Sequence, residues 1–177
     1  MSLPPAANPA LLADKQALLE LNLTYCRAID RRDLALLQSV YHEGAVEDRG
    51  GIYHGPAQGF VDLVAKDGAN YEITMHRISN ALFVVEGDSA EGEIYAEAYH
   101  RTRGENAMEI TAAGRYLDRY EKRGGHWGIV FRAATLDRCD MRPVDQAAYQ
   151  QFVAGSVAGE PGPGDLSYKV LTRFARR

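Results

Sequence analysis

Four runs between Tyr71 and Arg138 decide the fold: YEITMHRISNALFVVE (71–86), EGEIYAEAYHRTR (91–103), MEITAAGRYLDRYEK (108–122) and HWGIVFRAATLDR (126–138). Each is rich in β-branched and aromatic residues and carries the period-two pattern of a strand. Between them stand Glu86-Gly87-Asp88, Gly104-Glu105-Asn106 and Arg123-Gly124-Gly125, which is hairpin turn chemistry. The spacing therefore predicts an antiparallel meander of four long strands. In the second run one parity is Ile94, Ala96, Ala98, His100 and Thr102, and the other is Glu91, Glu93, Tyr95, Glu97, Tyr99 and Arg101. The first face is small and mostly apolar, which leaves room for a cavity. The second suits solvent or a wet interface. In the first run His76 shares parity with Thr74, Ile78, Leu82 and Val84, so all five are expected on one inward face.

Working outward from the strands, the preceding residues read as helices. Asn8-Pro9 is a helix start, with Asn as cap and Pro at the first helical position. Leu11, Leu12, Leu18, Leu21, Tyr25 and Ile29 then recur at helical spacing. Asp33 is placed to cap a second short helix, and Ala57 to Lys66 forms a third. Between them, Glu43–Pro56 is Gly-rich and polar with short extended pieces. Helices followed by a meander give an α+β class, with three N-terminal helices packed on one face of a curved, mostly antiparallel sheet. The expected organisation is a loose lead-in at 1–8, one domain at 9–140, and a C-terminal tail at 141–177. Gly and Pro crowd residues 155–165 of that tail, and Arg173, Arg176 and Arg177 lie near its end. It would wrap a neighbouring subunit, cover a pocket mouth, or be mobile.

The chain has 177 residues, of which 46% are hydrophobic, and a formal charge of −4. That length builds a core without metal or disulfide staples. The acidic balance argues against nucleic acid as a partner. No apolar run is long enough to span a membrane and no secretory signal is legible, so a cytoplasmic protein is expected. Cys26 and Cys139 belong to no CxxC motif, in keeping with a reducing compartment. No Gly-rich phosphate loop and no GxSxG occurs, and no cofactor is expected.

Asp30 closes the apolar face of the first helix, an unusual place for a carboxylate without a partner. It could equally belong to the polar helix end beside Arg31, Arg32 and Asp33. His76 and His100 sit on apolar strand faces, where a histidine is more often a satisfied core residue than a catalyst. A neutral imidazole whose other nitrogen donates to a carboxylate is a general base near pH 7. Asp30 and His76 could form such a dyad, with Tyr25 or His100 as proton donor. Two histidines and a carboxylate are also a conceivable metal set, though no local spacing signature supports one, and no metal is expected. Periodicity does not show that these residues meet.

The segments YCRAIDRRDLALLQSVYHEGAVED (25–48), YHGPAQGFVDL (53–63), ITMHRISNALFVVEGDSAEGEIYAEAYH (73–100) and GRYLDRYEKRGGHWGIVFR (114–132) resemble the SnoaL-like branch of the nuclear transport factor 2-like superfamily. The resemblance implies a cone in which a curved sheet and three helices enclose a deep apolar pocket. It also implies a pairing of Asp30 with His76, which fall where the eliminating enzymes of that superfamily carry an Asp and a His. Tyr25 matches a tyrosine position of the bile-acid dehydratase pattern, and His100 the second histidine of scytalone dehydratase. Arg132 lies near a pocket arginine of the dehydratase and dehydrochlorinase types. The sequence departs from scytalone dehydratase in having Ile29 before the Asp and Arg49 near its other tyrosine. The implied activity is a cofactor-independent lyase or dehydratase acting on a hydrophobic ring compound, with loss of water, halide or a small carbonyl fragment. A scaffold subunit like the β subunit of ring-hydroxylating dioxygenases, and an isomerase or cyclase using the same base, are the alternatives. A homo-oligomer, trimer or dimer, is expected.

Overall fold

A computed structural model describes residues 9–174. The expected lead-in at 1–8, with its Asn8 cap, and the terminal Arg176 and Arg177 lie outside the described residues. Helix α1 (Pro9–Arg31) buries Leu18, Asn22, Tyr25, Cys26 and Ile29 on one stripe. It stops in a double turn: Arg32 N–H donates to the Ile29 carbonyl and Asp33 N–H to the Ala28 carbonyl. That stop puts Arg32 at φ 52°, the left-handed region that glycine normally fills at a helix end. The Arg32 side chain runs back over Gly68, and its Nη2 donates to the Tyr71 carbonyl at 2.6 Å, tying the helix end to the start of the first long strand. Asp33 caps α2 (Leu34–Ser39) by accepting from Leu36 N–H, as its position predicts.

The polar stretch after α2 forms β1 (Tyr41–Asp48) and the short β2 (His54–Pro56), and α3 covers Ala57–Asp67. A 3₁₀ turn at Gly68–Asn70 leads into β3 (Tyr71–Glu86), β4 (Ser89–Thr102), β5 (Met108–Arg123) and β6 (His126–Pro143). The four predicted strands are present, and the last runs five residues farther than its alternation indicated. One curved, unclosed sheet of order β2-β1-β6-β5-β4-β3 results, antiparallel throughout except where β1 lies parallel to β6. Leu18, Tyr25, Leu37, Val40, Ile94 and Ile129, from helices and sheet, meet in the core between them. Two short helices, α4 (Gln146–Val153) and α5 (Leu166–Val170), follow β6. No helix among the described residues is long and apolar enough to cross a membrane.

A bulge corrects the parity expected for β3. In β3 the pairing jumps from Ile78 opposite Ala96 to Ala81 opposite Ile94, so one extra residue enters β3. A single insertion flips every later side chain to the other face. Leu82 and Val84, expected inward with His76, are 61% and 56% exposed, and Phe83 is buried against Tyr120 instead. In β6 an extra residue opposite Gly114 bends the sheet so sharply that a Cβ on Gly114 would overlap the Thr135 carbonyl. On the outer parity of β4, Arg101 is not in solvent: it is 1% exposed, and its guanidinium stacks 3.5 Å from the ring centre of Tyr149 on α4.

The tail is docked in part. Arg31 pairs with Asp165 at 2.7 Å, and Gly162 N–H donates to the Arg31 carbonyl. Arg27 lies 5.2 Å from the rings of Tyr168 and Phe174. The tail therefore rests on the outside of the last turn of α1.

Candidate active site

The last turn of α1 presents Asp30 to the middle of the first half of β3. Its Oδ2 accepts the backbone N–H of His76 at 2.8 Å, and its Oδ1 lies 2.7 Å from His76 Nδ1. Two bonds to one residue fix both the carboxylate and the ring. Nδ1 therefore carries the hydrogen, and the lone pair is left on Nε2, which bonds no protein group among the described residues. Both side chains are about nine-tenths buried.

His76 and His100 sit edge to face with ring centres 5.4 Å apart, and His100 stacks on Tyr71 at 4.9 Å. Burial first, then the charge of His76, hold the His100 pKa down at about 4, with Asp30 partly opposing. His100 is therefore neutral at pH 7.

These histidines stand between two adjoining hollows. One, about 250 Å³, lies between helices and sheet and is lined by Tyr25, Ile29, Phe60, Leu63 and Val64. The other, about 390 Å³, lies over the small residues Ala96, Ala98, Ala112, Gly114 and Ala134. Arg49, Ile52, His76 and His100 border both. The small-residue face of β4 thus lines a cavity, as its parity implied.

Tyr25 is 1% exposed and lines the helix-side hollow, and its hydroxyl oxygen accepts from Arg49 Nη2. Burial pushes its phenol well above the ordinary value, so it stays protonated. Arg132 does not line either hollow. It is 0% exposed, with Nε and Nη2 bonded to Asp118 at 2.8 and 2.6 Å, and Nη2 also donates to Asn22. Its Cζ lies 4.2 Å from the ring centre of Tyr25 and 4.3 Å from that of Tyr116. The expected site arginine is thus a core cation supporting the tyrosines from behind. The guanidinium on the cavity wall belongs to Arg49, the first residue after β1. The hints in the sequence were its place near a tyrosine of scytalone dehydratase and its spacing of two from Glu47. The structure therefore brings together Asp30, His76, His100 and Tyr25, and adds Arg49 in place of Arg132. No group of three or more His, Cys, Asp or Glu side chains among the described residues is arranged to hold a metal ion.

A histidine held by a carboxylate thus stands on the cavity wall of an α+β cone. Residues 10–133 match the family model of the SnoaL-like domain, and the chain belongs to that family. Similar solved structures include a hexachlorocyclohexane dehydrochlorinase, LinA type 2 (22% identity, 76% of this chain and 91% of that one, TM-score 0.68). A scytalone dehydratase candidate from Novosphingobium aromaticivorans gives 17% identity over 86% and 95%, with TM-score 0.67. The Kfla4162 protein of Kribbella flavida gives 15% identity over 73% and 94%, with TM-score 0.67. At these identities the likeness concerns the fold. A comparison with curated protein sequences found no match.

Proposed function

We propose that the protein is a cofactor-independent lyase that removes a proton and a leaving group from a hydrophobic cyclic small molecule. The observation that carries this reading is the Asp30–His76 couple, closed at 2.7 Å on one side and bare at Nε2 on the other, at the border of two apolar hollows. Asp30 fixes the tautomer and stabilises the imidazolium that forms when Nε2 takes a proton. General base catalysis of this kind supplies about 10²–10⁴-fold, and the surrounding walls must supply the rest by holding the substrate. The protonated His76 then returns its proton to the departing group, with the neutral His100 beside it as a second hydrogen-bonding partner. The apolar walls suit a ring of carbon atoms, and the two hollows suit a molecule longer than one ring. The dehydrochlorinase and dehydratase names among the structural neighbours accord with an elimination.

The test is mass spectrometry of the small molecule retained by purified protein, followed by turnover of that molecule or its close analogues. His76→Ala should abolish turnover with the circular dichroism spectrum unchanged. Undiminished turnover in that variant would remove His76 as the base. A product isomeric with the substrate would replace elimination by isomerisation or cyclisation.

A further inference from the structure

Arg49 is held more firmly than a surface arginine needs to be. Its Nε donates to Glu47 Oε2 at 2.8 Å and its Nη2 to the Tyr25 hydroxyl oxygen at 2.6 Å. Glu47 is fully buried and also accepts from the Tyr41 hydroxyl. The rings of Phe60 and Tyr116 lie 4.7 and 5.3 Å from Arg49 Cζ. A planar fork bonded along one edge and flanked by rings has little freedom left. Nothing among the described residues bonds Nη1, and Arg49 borders both hollows. Tyr25 accepts from Arg49 through its oxygen, so its own O–H remains available as a donor. Two donors, one of them cationic, thus stand on the wall shared with His76. Because Glu47 already balances the charge of Arg49, the pair is matched to negative charge that develops during reaction rather than to a substrate ion that arrives charged.

We infer that Arg49 Nη1–H and Tyr25 O–H form an oxyanion site, and that the substrate carries a carbonyl oxygen conjugated to the carbon that His76 deprotonates. The inference rests on the base reading for the reaction, though not for the binding of an oxyanion. His76 Nε2 takes the proton, the C–H electron pair becomes a C=C bond, and the carbonyl π pair moves onto oxygen as an enolate. The two donors hold that oxygen. When the enolate pair returns, the bond from the β carbon to the leaving group breaks with its electrons, and the His76 proton joins it. The substrate has then lost one molecule of acid or water, with no oxidant or reductant consumed. Arg49 is a catalytic residue on this scheme because it touches the reacting oxygen.

The probe is 4-nitrophenol, whose oxygen imitates an enolate and whose phenolate form is yellow. At a pH below its free ionisation, uptake by the wild-type protein should raise the phenolate band. Loss of one charge-assisted hydrogen bond in Arg49→Met should weaken phenolate binding about 10- to 100-fold. Tyr25→Phe should weaken it as well, and Arg49→Lys should restore part of the loss. Arg49→Met strands Glu47 as a buried lone carboxylate, so the double variant Glu47→Gln/Arg49→Met secures a folded comparison. His76→Ala should keep the band. A wild-type protein that binds 4-nitrophenol only as the neutral phenol, or not at all, overturns the oxyanion site and leaves the base untouched. So does a band that survives undiminished in the double variant. A band lost in His76→Ala but kept in the Arg49 variants places the oxygen at His76 and also overturns the inference. If the band behaves as expected while His76→Ala retains turnover, the oxyanion site stands and the base reading falls.

Discussion

Replacing His100 by asparagine should make the protein less sensitive to acid. Burial and the neighbouring His76 hold His100 at a pKa of about 4, against 6.5 for the free side chain. At pH 7 both folded and unfolded chains leave it neutral, so it adds nothing to the pH dependence there. As pH falls through 6.5 the unfolded chain takes up a proton that the folded chain refuses, and stability drops until about pH 4, where both are protonated. Between pH 7 and 5 the loss is about 1.4 kcal/mol for each of the 1.5 units below 6.5, or about 2 kcal/mol. His100→Asn removes this loss. In urea, with a slope of about 2 kcal/mol per molar, the variant's midpoint relative to wild type should rise by about 1 M between pH 7 and pH 5. Histidines other than His76, which faces His100, are common to both proteins and cancel in the difference. An equal stability difference at the two pH values would refute the reasoning, as would a His100 ring proton that titrates between pH 6 and 7 by NMR.

Gly114→Ala should destabilise by about 1–3 kcal/mol in thermal or urea unfolding, since the added methyl meets the Thr135 carbonyl and the bulge must open. Asp118→Ala leaves Arg132 as a buried lone cation and should cost about 3–5 kcal/mol, and an Asp118→Ala/Arg132→Met double variant should recover much of it. Ala98→Leu narrows the sheet-side hollow next to His76. It should raise KM for large substrates more than for small ones while leaving the melting temperature within a few degrees. Asp165→Ala frees the tail from Arg31, and limited proteolysis beyond residue 145 should quicken with the domain left intact.

The strands were legible because turns at 86–88, 104–106 and 123–125 break long alternating runs, and local chemistry alone dictates such turns. The α1 to β3 contact was not legible from spacing. Asp30 and His76 are 46 residues apart, and only the path of the chain through α2, β1 and α3 brings them together. Their pairing entered as one possible dyad that the resemblance then singled out, and a resemblance marks a position but not a distance. Arg132 shows the opposite error. Its resemblance pointed to the pocket, but Asp118 stands directly opposite it on β5 and claims the guanidinium. Counting back from the Gly124-Gly125 turn does not reveal that pair, because a bulge between Arg119 and Tyr120 moves the register by one. Arg49 was missed because a single arginine after a short strand has no periodic signature, and its clamp comes from Tyr25 on α1 as well as from Glu47.

The bulge in β3 divides one strand into two independently aimed halves. Residues before Ser79 carry His76 toward the cavity, and residues after Asn80 turn Phe83 into packing against β5. Substitutions in the distal half can adjust stability without re-aiming the base, and those in the proximal half can reshape the cavity without repacking the core. Deleting a single residue at the bulge would restore unbroken alternation and leave Phe83 opposite Gly92, still facing the core. The strand is thus open to point substitution along most of its length, and its middle is where the loss of a residue disturbs the facing of the two halves least. A lineage carrying this fold would diversify its substrate by exchanging side chains around His76 and confine any loss of a β3 residue to the bulge.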